Sequence, residues 1–227
     1  MRLRVLPLFL LAGVLPAWTP RLHEAQTAKA VKMVPRRMAA LLRDHPQELL
    51  EAARGKANDQ PPSVDEVDSQ YRTIVRMSQE DGGIRPADLA RELGVLAHLV
   101  QALDDPSCTQ GVTPLREAFE AYADEKLPKL VVTREPFWAL SGPMEPKPVL
   151  QQWMAQKQAR NRLLAASVDD SGKRVGPWDD LSIPFAQLQL SFSNGVNGTA
   201  NLWILLYREV GQLWPLPAEG SKLTSSE

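Results

Sequence analysis

The chain has 227 residues, and its 26 Lys and Arg against 27 Asp and Glu leave a formal net charge of −1, which offers no polycationic surface for duplex nucleic acid. Its single Cys excludes an intramolecular disulfide and a cysteine-based zinc module. A hydrophobic fraction of 44% with 23% charged residues is typical of a globular chain and excludes a wholly disordered one.

Residues 1–17 have the pattern of a secretory signal peptide. Arg2 and Arg4 form a basic start, and residues 5–15 are almost entirely apolar, a run of signal-peptide length that is too short to cross a membrane. Ala17 suits a cleavage point, although Leu15 at the −3 position is larger than usual. A buried N-terminal helix is the alternative. We therefore expect an exported, periplasmic or extracellular protein with no transmembrane segment.

The first half of the mature chain predicts a series of helices. Residues 21–33 are rich in Ala and Lys, and the helical pattern of residues 36–53 breaks at His45-Pro46, because the residue before proline resists helical geometry. Gly55 is suited to end this pair of helices. Ser63 and Glu66 have the spacing of a capping box, which predicts a helix over about residues 64–79.

The second half carries the clearest helix and one ambiguous segment. Residues 86–103 place Leu or Val at steps of 4, 3, 4 and 3, which makes one apolar stripe. Further helices are predicted from Thr113-Pro114 to about residue 126 and over residues 149–168. Residues 187–193 alternate like a strand, with hairpin-like Asn-Gly pairs following, whereas residues 200–210 return to a helical pattern.

Two places carry candidate metal ligands, although the familiar phosphate-loop, nucleophile-elbow and His-Glu-x-x-His motifs are missing. If Trp18 becomes the N-terminus, its amine and carbonyl can chelate a metal, and His23 can close over the same ion. The alternative is that Trp18 packs and His23 lies at the surface. On the 86–103 helix, His98, Ala102 and Asp105 share one face. There the alternative is a half-buried His98 bonded to a backbone carbonyl.

These residues resemble the exported zinc-dependent phospholipases C and the fungal-type single-strand nucleases, which share one helical fold. That family has an N-terminal Trp, a His five residues later, and a helix with a Leu-Gly-x-x-x-His pattern and a later Pro; the matching residues here are Trp18, His23, Leu93, Gly94, His98 and Pro106. The resemblance implies a single all-α domain of the zinc-dependent phospholipase C type over residues 18–217. It also favours helix for the ambiguous segment, and we expect a disordered tail over residues 218–227.

The resemblance also implies a zinc site, but an incomplete one. The matching positions give five candidate ligands: Trp18, His23, Asp59, His98 and, as a thiolate in place of a His, Cys108. The carboxylate that bridges two metals in the family is replaced by Ala102, and no His follows His98. The full trinuclear cluster is therefore not expected, although Asp104 or Asp105 is a candidate replacement carboxylate.

Two functional hypotheses follow from this reduced ligand set. In the first, the protein is a zinc-dependent hydrolase of phosphodiesters or phospholipids, and Asp59 also acts as the base for the attacking water. In the second, it is a catalytically inactive exported protein, binding or structural, on the same fold. The sequence does not identify a protein partner, which stays unknown. A basic cluster of Lys29, Lys32, Arg36 and Arg37 either contacts phosphate or forms a solvated helix face.

Overall fold

The structure is a computed structural model, and its described residues form an all-α architecture. It describes residues 18–55, 61–106, 113–134, 145–148, 150–151, 154, 164–171 and 173–215. The helices, in chain order, are α1 (Pro20–Val31), α2 (Arg36–Asp44), α3 (Pro46–Arg54), α4 (Val64–Gln79), α5 (Pro86–Leu103), α6 (Thr113–Lys126) and α7 (Ile183–Val210). No strand forms among these residues, where Val168 and Arg174 make an isolated antiparallel bridge. None of the described helices is both long and apolar enough to span a bilayer.

The helix ends follow the local signals in the sequence. Ser63 accepts from the Glu66 amide at 3.2 Å while the Glu66 carboxylate accepts from the Ser63 amide at 2.6 Å, so the predicted capping box begins α4. His45 leaves helical geometry before Pro46 and separates α2 from α3. Gly55 follows α3 with a φ of +66°, a conformation that glycine adopts without steric cost.

Helix α5 is the centre of the molecule and contacts α1, α3, α4 and α7. Its predicted apolar stripe is confirmed, since all five members are buried: Leu89, Leu93, Leu96, Val100 and Leu103. The contact with α3 is the closest, because a Cβ atom at Gly94 would lie 2.4 Å from the Leu49 carbonyl oxygen. Gly94 therefore allows the two helix backbones to approach where any side chain would separate them.

The ambiguous segment is part of the 28-residue helix α7. The strand-like alternation and the hairpin-like Asn-Gly pairs are misleading, and the helix implied by the resemblance is confirmed. Alternation fails as a strand signal here because α7 buries polar residues as well as apolar ones, among them Gln187, Ser191 and Asn197. Gly195 lies inside the helix, where a Cβ atom would be 2.3 Å from the Gln26 amide nitrogen.

Candidate metal site

The start of α1 places the first two candidate ligands against α5. Thr19 caps α1 by accepting from the Leu22 amide at 3.3 Å, which sets Trp18 just before the helix and His23 in its first turns. The Trp18 indole is fully buried, and its Nε1–H donates to the Gln101 carbonyl at 2.9 Å. Trp18 packs in the core, which confirms that part of the alternative interpretation. The other part is wrong, because His23 is fully buried and does not lie at the surface.

The side chain of Gln101 fixes the tautomer of His23. Thr199 donates its hydroxyl proton to the Gly195 carbonyl at 2.8 Å and so accepts from the Gln101 amide nitrogen at 3.4 Å. That amide nitrogen also lies 3.0 Å from the Thr27 hydroxyl. The side-chain oxygen Oε1 of Gln101 is consequently the atom 2.7 Å from His23 Nδ1, and Nδ1–H donates to it. The Nε2 atom of His23 is therefore unprotonated, and its lone pair is free to accept a hydrogen bond or to bind a metal.

His98 completes a pair of facing imidazoles. Its Nδ1–H donates to the Ala53 carbonyl at 3.2 Å, because a carbonyl only accepts, and its own Nε2 is therefore also unprotonated in the neutral ring. The two ring centroids are 4.6 Å apart, with the planes inclined at 46°. The backbone of Gly55 lies against the His98 ring, where a Cβ atom would be 2.2 Å from Cε1. His98 is half-buried, as its sequence alternative held.

Burial keeps both imidazoles neutral. Desolvation, together with the nearby His98, lowers the pKa of His23 from 6.5 to about 3, despite the opposing effect of the hydrogen bond that Nδ1–H donates to the Gln101 side-chain oxygen. Desolvation also lowers the pKa of His98. Two neutral imidazoles with free Nε2 atoms are the protonation states that a divalent metal requires of histidine ligands.

The donor chemistry fits a zinc ion in part. His23 Nε2 is fully buried and has no hydrogen-bond partner among the described residues, and a buried unpaired polar atom is costly unless something binds it. Nδ1 donation to a carbonyl or amide oxygen is also the usual outer-shell support of a metal-bound histidine. In the described part of the chain, however, no three His, Cys, Asp or Glu side chains form a cluster that could hold a metal.

The other sequence-predicted residues lie apart or outside the described residues. Asp59 and Cys108 both fall outside them. Ala102, at the position of the family's bridging carboxylate, is buried on α5. Asp105 is fully buried beside Glu120 of α6, and together with desolvation it raises the pKa of Glu120 to about 7, although Arg116 pairs with that carboxylate at 3.0 Å.

The sequence reading missed Gln101, the residue that organises the site. Gln101 bonds through its side chain to His23, Thr27 and Thr199 and through its carbonyl to Trp18. Its signal was an amide side chain four residues after the buried Ala97, beside the apolar stripe of α5. Such a position predicts a buried polar side chain with internal partners, but the partners themselves come from helices distant in sequence.

Comparisons with protein-family models, with curated proteins and with solved structures found no match to this chain.

Proposed function

We propose that this protein is an exported hydrolase of phosphodiesters that works with a single zinc ion held by His23 and His98. The observation that carries the proposal is the buried Nε2 atom of His23, which has no partner among the described residues and belongs to a ring whose centroid lies 4.6 Å from that of a second neutral imidazole. Zinc bound there supplies a Lewis acid that polarises a phosphoryl oxygen and makes water acidic enough to ionise near neutral pH.

The chain's own residues prepare the two ligands. Gln101 and the Ala53 carbonyl each accept an Nδ1 proton, which orients both rings and keeps both Nε2 atoms available. His23 is fully buried while His98 is half-buried, so ion and substrate reach the pair from the His98 side. The Trp18 amine, released by signal cleavage, and Asp59, as base and ligand, remain the further contributors that the resemblance implies.

Metal analysis of the exported protein tests the proposal. The full chain is produced in a host that processes it, its N-terminus is sequenced, and zinc is measured by mass spectrometry beside hydrolysis of bis(4-nitrophenyl) phosphate, phosphatidylcholine and single-stranded DNA. We expect about one zinc per chain. The variant His98→Ala should lose zinc and hydrolysis by at least about tenfold.

The matched control is His45→Ala, which removes a histidine between α2 and α3 that no motif assigns as a ligand. It should keep zinc content and hydrolysis at the wild-type level. Absence of zinc from the processed protein would refute the proposal, and so would unchanged hydrolysis in the His98→Ala variant.

A specific observation also favours the second candidate, a catalytically inactive exported binding protein. The interior around His23 is a neutral network in which the Gln101 amide nitrogen bonds to the hydroxyls of Thr27 and Thr199, and Ala102 stands where a bridging carboxylate would be needed. Apart from Nε2 of His23, the polar atoms of this network have partners without a metal. This candidate predicts that a chelator leaves the melting temperature unchanged. If zinc is bound, the chelator should lower the melting temperature by removing it.

A further inference from the structure

A groove between α1, α2 and α3 lies apart from the histidine pair. Its volume is about 590 Å³, and apolar side chains make up most of its lining. Ala39, Leu42 and Leu49 form a buried floor. The exposed side chains of Lys32, Arg36 and Arg43 stand at its rim. An apolar floor with a few convergent polar groups is the usual form of a small-molecule site.

Among the described residues, the rim of this groove carries positive charge only. None of the described residues that line it is Asp or Glu, and Lys32, Arg36 and Arg43 make no ion pair with any described carboxylate. A second, smaller cavity of about 470 Å³ shares Val34 with the groove, and its described lining includes Arg134 and Arg208 and no acidic side chain. Such a concentration of one sign favours an anionic ligand.

We infer that this groove binds a long-chain fatty acid. The apolar floor would take the acyl chain, and the guanidinium groups of Arg36 and Arg43 would bind the carboxylate, for which arginine has matching donor geometry. Size supports a single chain, because 590 Å³ holds about twenty non-hydrogen atoms at roughly 30 Å³ each. That is the size of one long-chain fatty acid, and a two-chain phospholipid is more than twice as large.

Competition with a dansyl-labelled fatty acid on the full chain tests the inference. Palmitate should displace the probe, and hexadecanol, which lacks the charge, should bind about tenfold more weakly. Arg36→Glu and Arg43→Glu should each weaken palmitate binding by about tenfold or more. Val34→Trp should fill the groove and abolish binding while the cations remain in place.

Arg37→Glu is the matched control, since Arg37 is an exposed neighbour on α2 that does not line the groove. It should change the palmitate affinity by less than about twofold. Three results would overturn the inference: no displacement by palmitate, an equal loss in Arg37→Glu and Arg36→Glu, or binding to phosphatidylglycerol vesicles without binding to free palmitate. Because none of these residues belongs to the histidine pair, failure here leaves the proposed hydrolase untouched.

Discussion

His23 shows how one buried side chain can be fixed by a partner distant in sequence. Its ring is fully buried, so it can be accommodated only neutral or with a compensating partner. Gln101 supplies half of that compensation by accepting from Nδ1. The other half, at Nε2, has no partner among the described residues. A buried polar atom without a partner either lowers the stability of the fold or binds a ligand. Whether a metal binds at Nε2 therefore distinguishes the two functional candidates.

Gln101→Leu should destabilise the protein by about 2–4 kcal/mol, because it leaves the buried His23 Nδ1–H without its acceptor and the Thr27 and Thr199 hydroxyls without their amide donor. Urea denaturation measures this. Gln101→Glu should instead raise the pKa of His23 from about 3, since an adjacent carboxylate favours the imidazolium form. Titration of the imidazole resonances by nuclear magnetic resonance follows that change.

The control for both substitutions is Gln26→Leu. Gln26 is equally buried and bonds to the Phe192 carbonyl at 3.3 Å instead of to His23. The Gln26→Leu variant should lower the free energy of unfolding without shifting the His23 resonances. If Gln26→Leu and Gln101→Glu shifted those resonances alike, Gln101 would have no specific role in setting the state of His23.

At the scale of helices, the sequence predicted what local chemistry decides. The α4 capping box, the α2–α3 break at Pro46 and the α5 stripe all lie within a few residues of their cause, and all three are present. The alternation in residues 187–193 misled because α7 is surrounded by other helices and buries polar residues too. Burial on several sides removes the one-faced pattern by which helix and strand are distinguished.

Only part of the candidate site could be predicted from the sequence. Trp18, His23 and His98 were chosen as candidate ligands by identity and spacing, and the structure brings the two histidine rings together, but Gln101 and the Ala53 carbonyl, which orient the rings, were not predicted. Their roles depend on contacts between helices far apart in the chain, as in the bond between His98 and Ala53 across α5 and α3. The sequence carries no local signal for such contacts.

Gly94→Ala should test how tightly α3 and α5 depend on their close approach. A methyl group there would meet the Leu49 carbonyl at 2.4 Å and the Ala52 Cβ at 2.8 Å, and backbone atoms cannot yield without moving a helix. We expect a loss of about 2–4 kcal/mol in the free energy of unfolding, despite the better helix propensity of Ala. Thermal and urea denaturation measure it.

Arg91→Ala, an exposed change on the same helix, should stay within about 0.5 kcal/mol of wild type. Since α3 also carries the Ala53 carbonyl that holds His98, Gly94→Ala should also weaken zinc binding if the proposed site at His23 and His98 exists. If Gly94→Ala were as stable as the wild type, α3 and α5 could move apart at little cost in free energy. That result would contradict the prediction from their close approach at Gly94.

At the scale of the whole molecule, two buried groups make stability depend on pH in opposite directions. The pKa of His23 is lowered from 6.5 to about 3. Its contribution to the free energy of unfolding is therefore fully present above pH 6.5 and is lost as the pH falls toward 3. Glu120 has its pKa raised from 4.5 to about 7, so its contribution is present below pH 4.5 and is lost as the pH rises through 7. Together they predict a broad stability maximum between about pH 4.5 and 6.5, where the two opposing slopes cancel.

Glu120→Gln should remove the alkaline side of that maximum and leave the acid side in place. The amide cannot ionise, so the free energy of unfolding of the variant should rise with pH between about 4.5 and 6.5, where the wild type is level, and should not decline between about pH 6.5 and 7. The loss of stability below about pH 6.5 from His23 persists. Urea denaturation at each pH gives the profile. Glu117→Gln, an exposed change on the same helix, should keep the wild-type profile. If Glu120→Gln also kept it, the Glu120 carboxyl would be ionised throughout this range, because only a group that takes up a proton on folding makes stability fall as the pH rises.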